Sequence, residues 1–129
     1  MLCSSLEAEI AMAPEAEQAE FLVMYDLQQT GLAELIQTSY RWLGLMTYFT
    51  AGEQEVRAWT IKKGTLAPQA AGVIHSDFEK GFIKAEVIKL DDYLHYKNEQ
   101  ACKQAGKVAL EGKAYEVEDG DIIHFKSGL

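Results

Sequence analysis

Phe49-Thr50-Ala51-Gly52-Glu53-Gln54-Glu55-Val56-Arg57-Ala58-Trp59-Thr60-Ile61 is the stretch on which the fold turns. Residues 45–50 and 56–61 are rich in β-branched and aromatic side chains, which fit a pleated, half-buried surface. Ala51-Gly52-Glu53-Gln54 between them suits a hairpin loop. The spacing therefore predicts two antiparallel strands. Alternation along the second places Arg57, Trp59 and Ile61 on one face.

Downstream, Ala67-Pro68-Gln69-Ala70-Ala71-Gly72-Val73-Ile74-His75-Ser76-Asp77-Phe78 reads as a short helix. Pro68 suits the first helical position, and Ala71, Ile74 and Phe78 share a face. His75 is expected near the helix end, where an imidazole bonds the last carbonyls and meets the negative pole. Residues 83–90 predict a third strand. Asp91 or Asp92 caps a short helix, and Gly106 ends a further helical stretch around residues 99–105. Two last strands are expected near 114–117 and 122–126, joined by Asp119-Gly120, a dipeptide suited to a tight turn. The order β-β-α-β-α-β-β fits an α+β domain over residues 45–129: a mixed sheet wrapped around a helix, the β-grasp or ubiquitin-like architecture. Phe49, Phe78, Phe82, Tyr115 and Phe125 are its expected core aromatics.

Upstream, residues 1–44 read as helical. Ser4-Ser5-Leu6-Glu7 has the form of a capping box, and Pro14, with no amide proton to donate, ends that helix. Residues 15–24 predict a second helix. Leu32, Leu35, Ile36, Ser39, Tyr40 and Leu43 recur at helical spacing, opened by Thr30 and closed by Gly44. That apolar stripe needs a partner surface.

A length of 129 residues permits one compact domain with a helical appendage. The net charge of −8 is unevenly placed: residues 1–44 hold seven acids against one base, Arg41, and residues 45–129 hold thirteen acids and eleven bases. Counterion release from phosphates requires a basic excess, which neither half has. Tight autonomous binding to a DNA duplex is therefore not expected, and any nucleic-acid contact rests on a local patch. Cys3 and Cys102 are far apart in sequence and read as two reduced thiols. No apolar run approaches the ~18 residues that span a bilayer. The N-terminus carries Glu7 and Glu9 and no basic segment, unlike a signal peptide. A cytoplasmic protein without a membrane partner is expected.

The chain lacks recognisable catalytic chemistry. A phosphate-binding G-x-x-x-x-G-K-[ST] loop is missing, since Gly106-Lys107 is followed by Val108 and has no matching upstream glycine. His75, His95 and His124 have no metal-ligand spacing. Glu118-Asp119-Gly120-Asp121 lacks the twelve-residue spacing of a calcium loop and reads as a polar hairpin turn. No catalytic, metal or cofactor-binding residues are assigned. The candidate contact residues are cationic and aromatic. Arg57, Lys62 and Lys63 form a basic cluster at the end of the second strand, with Trp59 as a stacking face, because bases stack on aromatics and lysines hold phosphates. The alternative is an inward Trp59 with solvated bases that discourage edge pairing. Lys80, Lys84 and Lys89 make a second patch, in which Lys84 and Glu86 share a strand face and screen one another.

The opening stretch, with residues 67–82, closely resembles the C-terminal TGS domain of the YchF-type, Obg-like family of ATP/GTP hydrolases. Gly81-Phe82-Ile83-Lys84-Ala85-Glu86-Val87-Ile88, Leu110-Glu111-Gly112-Lys113 and Glu118-Asp119-Gly120-Asp121-Ile122 also match that family's pattern. Cys3-Ser4-Ser5-Leu6-Glu7-Ala8-Glu9 looks like the last strand-to-helix junction of its G domain. The resemblance implies a C-terminal fragment, with the tail of the G domain and helical arm over 1–44 and a TGS domain over 45–129. Family members are ribosome-associated hydrolases that tend to prefer ATP over GTP and hold the nucleotide in an N-terminal G domain. A parent protein binding ATP or GTP with magnesium is implied, with no cofactor in this chain. TGS domains of threonyl-tRNA synthetases and stringent-response synthetases are regarded as RNA-contacting or regulatory. A non-catalytic module contacting ribosome or RNA is therefore implied; the alternative is an intramolecular regulator packed on the parent's G domain. Two positions depart from the family: Ala109 stands where an Arg often follows Gly106-Lys107-Val108, and Phe125-Lys126-Ser127-Gly128-Leu129 replaces the usual Phe-Arg/Lys-Phe-Asn-Val ending.

Overall fold

A computed structural model describes residues 3–52 and 55–128; Glu53 and Gln54 of the expected hairpin loop lie outside the described residues. The chain divides into two compact units, Met1–Leu43 and Gly44–Leu129.

The first unit holds helices α1 (Ser4–Met12), α2 (Glu15–Met24) and α3 (Gly31–Leu43). The capping box expected at Ser4 does not form. Cys3 occupies the N-cap position with no side-chain bond to a helix amide, and Glu7 Oε1 accepts the N–H of Gly31 at 2.7 Å. The carboxylate thus satisfies an orphan amide at the start of α3 rather than one in its own helix. Thr30 caps α3 by accepting the Ala33 N–H through Oγ1 at 3.2 Å. Gly44 ends it at φ +63°, a left-handed conformation that favours glycine. Along α3, Leu32, Leu35, Ile36 and Leu43 are each at least half exposed.

In the second unit, β1 (Leu45–Ala51) and β2 (Val56–Lys62) form the expected hairpin, paired from Leu45 opposite Lys62 to Ala51 opposite Val56. Helix α4 (Ala67–Ile74) carries Pro68 in its first turn. Ala67, Ala70 and Ala71 are fully buried, and their small size lets the helix lie close on the sheet. The single helix expected to reach Phe78 instead breaks at His75, whose backbone is extended, and α5 (Ser76–Lys80) begins there. His75 Nδ1 accepts the Asp77 N–H at 3.2 Å, so the imidazole caps the start of a helix and not the end of one. There follow β3 (Phe82–Ile88), α6 (Leu90–Tyr96), α7 (Glu99–Gln104), β4 (Ala109–Glu111) and β5 (Ile122–Ser127). The strand expected at 114–117 is absent; that segment crosses to the start of α4, where Tyr115 O accepts the Ala67 N–H at 2.8 Å and the Val117 N–H donates to Thr65 O at 3.0 Å. Its place in the ladder is taken by β4, which sequence reading missed.

The five strands order as β2-β1-β5-β3-β4. The β1–β5 pair is parallel and the others are antiparallel. One face of the sheet packs Tyr48, Ile61, Ala85, Val87 and Ile123 against the α4 alanines. The other packs Ile122 and Ile88 with Cys102 of α7 and Tyr93 and Tyr96 of α6. Tyr48 is wholly buried, and its hydroxyl donates to Ala70 O of α4 at 2.8 Å. Burial pushes its phenol well above the usual tyrosine range. A mixed sheet with a helix laid across one face is the β-grasp fold.

The central strand is set by the turn before it. Asp119 Oδ1 accepts the Thr47 N–H at 2.8 Å; the Gly120 N–H donates to Thr47 O at 2.7 Å, and the Phe49 N–H donates to Asp121 O at 2.8 Å. The Asp119-Gly120 pair therefore docks on β1 and is not a hairpin between two final strands, although Gly120 does take φ +85°. Asp121 is 1% exposed, and both of its carboxylate oxygens are used. Oδ2 accepts the Tyr115 hydroxyl at 2.6 Å and the Glu118 N–H at 2.9 Å; Oδ1 accepts from Lys89 Nζ at 2.8 Å. Lys89 also donates to Glu118 Oε2 and Tyr115 Oη. Partial burial presses the ammonium pKa down, but the bonds to Asp121, Glu118 and Tyr115 outweigh it and hold the group above the usual lysine range. Burial, followed by the bond to Asp121, pushes the Tyr115 phenol from 10.0 up to about 12.

Removing the carboxylate with Asp121→Ala leaves the half-buried Tyr115 phenol and the Glu118 amide without their acceptor, so urea denaturation should register a loss of about 2–4 kcal/mol; a loss below ~1 kcal/mol would show that the network is dispensable. Tyr115 and Lys89 both bind their protons more tightly when folded. Their contribution is complete below the unfolded tyrosine value and declines as pH rises from about 10 toward about 12. Stability measured across that interval should fall in the native chain and fall less steeply in Tyr115→Phe.

Candidate functional site

The β1–β2 register places Thr50 opposite Arg57 and Tyr48 opposite Trp59. All four side chains rise on the face that carries α4, because Tyr48 lies within the core on that face and alternate residues share it. Trp59 packs its half-buried ring against that core, and its Nε1–H donates to Thr50 Oγ1 at 2.9 Å. Arg57, two residues away on the same strand, stacks over the indole with Cζ 4.3 Å from the ring centroid. A cation over indole contributes about 0.5–1 kcal/mol at a site this open. The indole is thus pinned from three sides: core, hydroxyl and guanidinium.

Beside this pair lies an open groove of about 570 Å³, lined among others by Thr50, Glu55, Arg57, Trp59, Phe78 and Phe125. Phe78 is expected in the core but is 37% exposed. The break at His75 re-aims it, turning α5 away from the axis of α4 and setting the ring at the groove wall.

The other candidate residues do not join Arg57. Lys62 lies five residues further along β2, roughly 17 Å at strand rise, and on the opposite face. Lys63 follows it, with its backbone N–H bonded to Gly44 O at 2.8 Å. The single cluster of Arg57, Lys62 and Lys63 expected from sequence proximity is therefore divided. Strand geometry separates what the sequence places together.

Lys84 lies on β3 directly opposite Lys126 of β5. Two ammonium groups across a ladder repel; the offset comes from Glu86, whose carboxylate meets Lys126 at 3.7 Å and Lys103 at 3.6 Å. Glu86, expected to screen Lys84, forms its ion pairs with Lys126 and Lys103 instead. Sequence reading missed Lys126 and Lys103; pairing β3 antiparallel with the final strand would have revealed the first. Lys89, expected in the same patch as Lys80 and Lys84, is committed to Asp121 and Glu118.

Following the register across the sheet, Arg57 pairs with Thr50, β1 meets β5 at Phe49 and Ile122, and β5 meets β3 at Lys126 and Lys84. Arg57 is therefore level with residue 123: the Lys84–Lys126 pair lies three residues nearer the end that bears the β1–β2 loop, and Asp121 and Lys89 lie two residues the other way. Lys62, opposite Leu45, is at the far end of β2.

Cys3 and Cys102 are free thiols, and Cys102 is buried with Sγ facing Asp92 O at 3.8 Å. Among the described residues, no group of three or more His, Cys, Asp or Glu side chains is placed to hold a metal ion. No helix among them is long and apolar enough to cross a membrane.

Residues 45–128 match the YchF-GTPase_C family, described as a protein of unknown function (DUF933). The chain is 55% identical over 126 residues to the "Ribosome-binding ATPase YchF" of Bacillus subtilis (strain 168), covering 98% of this chain and 34% of that protein. It is 52% identical over 124 residues to the protein of the same name from Escherichia coli O157:H7, covering 96% and 34% respectively. Among solved structures, the Schizosaccharomyces pombe YchF GTPase superposes with a TM-score of 0.83 at 46% identity, over 97% of this chain and 33% of the other. The chain spans about a third of the length of the curated relatives it matches.

Proposed function

The chain belongs to the YchF family, matching its C-terminal domain, and from that premise we propose that it is a non-catalytic TGS interaction domain that docks on the ribosome through RNA. The relatives carry the name ribosome-binding ATPase. In this reading ATP or GTP with magnesium is handled elsewhere in a longer parent, because the phosphate-binding loop that such chemistry needs is not in this sequence. The work is done in the cytoplasm, where ribosomes are.

The loop-bearing end of the sheet supports this reading. It presents Arg57 over Trp59 on one face and Lys84 beside Lys126 on the other. Phosphate contacts from such groups fix a partner's position without reading sequence. They suffice for docking on RNA despite a net charge of −8, because the contact is local and the acids are concentrated elsewhere. Lys62 and Lys63, at the far end of edge strand β2, meet only a partner that follows that edge, and otherwise they discourage strand pairing.

A second reading is favoured by the exposed apolar row of α3, Leu32, Leu35, Ile36 and Leu43. Such a row calls for a protein surface. In that reading the helical unit packs on the parent's G domain and regulates access to its nucleotide pocket. ATP turnover of a full-length relative with and without this segment distinguishes the two, since equal rates count against regulation.

Co-sedimentation of the chain with ribosomes across a salt series tests the main reading. Affinity should fall with salt, and Arg57→Ala and Lys84→Ala should each weaken it and reduce the log–log slope by about 0.7. Lys62→Ala should do less. Unchanged affinity and slope in the first two variants would refute the docking surface.

A further inference from the structure

We propose that the groove beside Arg57 and Trp59 receives one unpaired RNA nucleotide, whose base forms the outer layer of a three-layer stack on the Arg57 guanidinium and the Trp59 indole. This rests on the RNA reading above and specifies which form of RNA is bound, and where. Trp59 does not offer a bare ring: its inner face meets the core and Arg57 covers it at 4.3 Å. The surface presented to a ligand is therefore the guanidinium, a flat, weakly hydrated cation that stacks on π-faces and carries charge toward a phosphate. The Trp59–Thr50 hydrogen bond of 2.9 Å fixes the indole before any ligand arrives, which reduces the ordering cost of binding. Phe78 supplies an apolar wall, and the groove volume of about 570 Å³ lies in the range of small-ligand sites.

Charge selects the unpaired form. A duplex offers a dense, regular phosphate array and is gripped by rows of cations. On the groove side Arg57 is accompanied by Glu55, so among the described residues no such row exists there. One base stacked on a prepared plane draws on π-contact more than on charge, and base faces are accessible only when the strand is unpaired.

The test uses the whole chain carrying Trp42→Phe, which removes the other tryptophan; Trp42 is 88% exposed and lies in the other unit, so Trp59 alone then reports. Labelled eight-nucleotide single strands and the matching duplex are titrated by anisotropy, with Trp59 emission recorded in parallel. The single strand should bind on the order of tenfold more tightly than the duplex and shift Trp59 emission along the same curve. Arg57→Lys, which keeps the charge and loses the plane, should weaken single-strand binding on the order of tenfold while leaving the salt slope intact. Equal affinity for duplex and single strand, or an Arg57→Lys variant that binds like the parent, overturns the inference. If ribosome binding is sensitive to Arg57→Lys but free single strands do not bind, the groove takes a ribosomal protein segment; the inference then fails while ribosome docking stands. If neither Arg57→Ala nor Lys84→Ala affects ribosome binding, it is the docking reading itself that fails.

Discussion

The buried carboxylate of Asp121 is the constraint on which the second unit depends. A parallel strand inserted between β1 and β3 needs its register fixed at its first residue, since a slip of one residue turns every side chain to the wrong face. Asp121 stands at that point, 1% exposed, immediately before Ile122, which pairs with Phe49. Its oxygens gather Lys89 from the end of β3, the phenol of Tyr115 and the amide of Glu118. Its neighbours Asp119 and Gly120 bond both backbone groups of Thr47. Two segments distant in sequence, β1 at Thr47 and the end of β3 at Lys89, are thereby tied to one turn. A buried charge survives only when paired and hydrogen-bonded, and here it is both.

On the β1–β2 loop side of that turn the sheet has a different character. Acids and the committed Lys89 crowd the turn, whereas the loop end presents Arg57, Lys84 and Lys126. The turn has its polar groups spent on one another, whereas on the loop side Lys126 and Lys103 share the single carboxylate of Glu86. Cross-strand repulsion between Lys84 and Lys126 is offset by Glu86, which pairs with Lys126.

Much of the architecture was legible from residue patterns, and the exceptions have physical causes. The hairpin, α2, α3 and the helix start at Pro68 follow from periodicity and from caps that act within a few residues. The start of α1 was misread because Glu7 has two amides it can serve and the more distant one, on Gly31, wins. Residues 114–117 have strand composition but spend their backbone bonds on Thr65 and Ala67, a tertiary choice invisible to local pattern. The site was partly legible. Period-two alternation correctly set Arg57 and Trp59 on one face, yet adjacency along the chain suggested a cluster with Lys62 and Lys63 that the pleat divides. Lys126 and Phe78 could not be placed without knowing the β3–β5 pairing and the break at His75.

In the proposed docking, the β1–β2 loop side of this sheet is the contact surface and the Asp121 turn its anchor. Backbone hydrogen exchange of the chain, free and bound to ribosomes, tests that division most directly. Slowed exchange at residues 55–59 and 123–127 on binding, with residues 89 and 118–121 equally slow in both states, is the predicted result. Protection gained only around 118–121, or only within the helical unit, would contradict it.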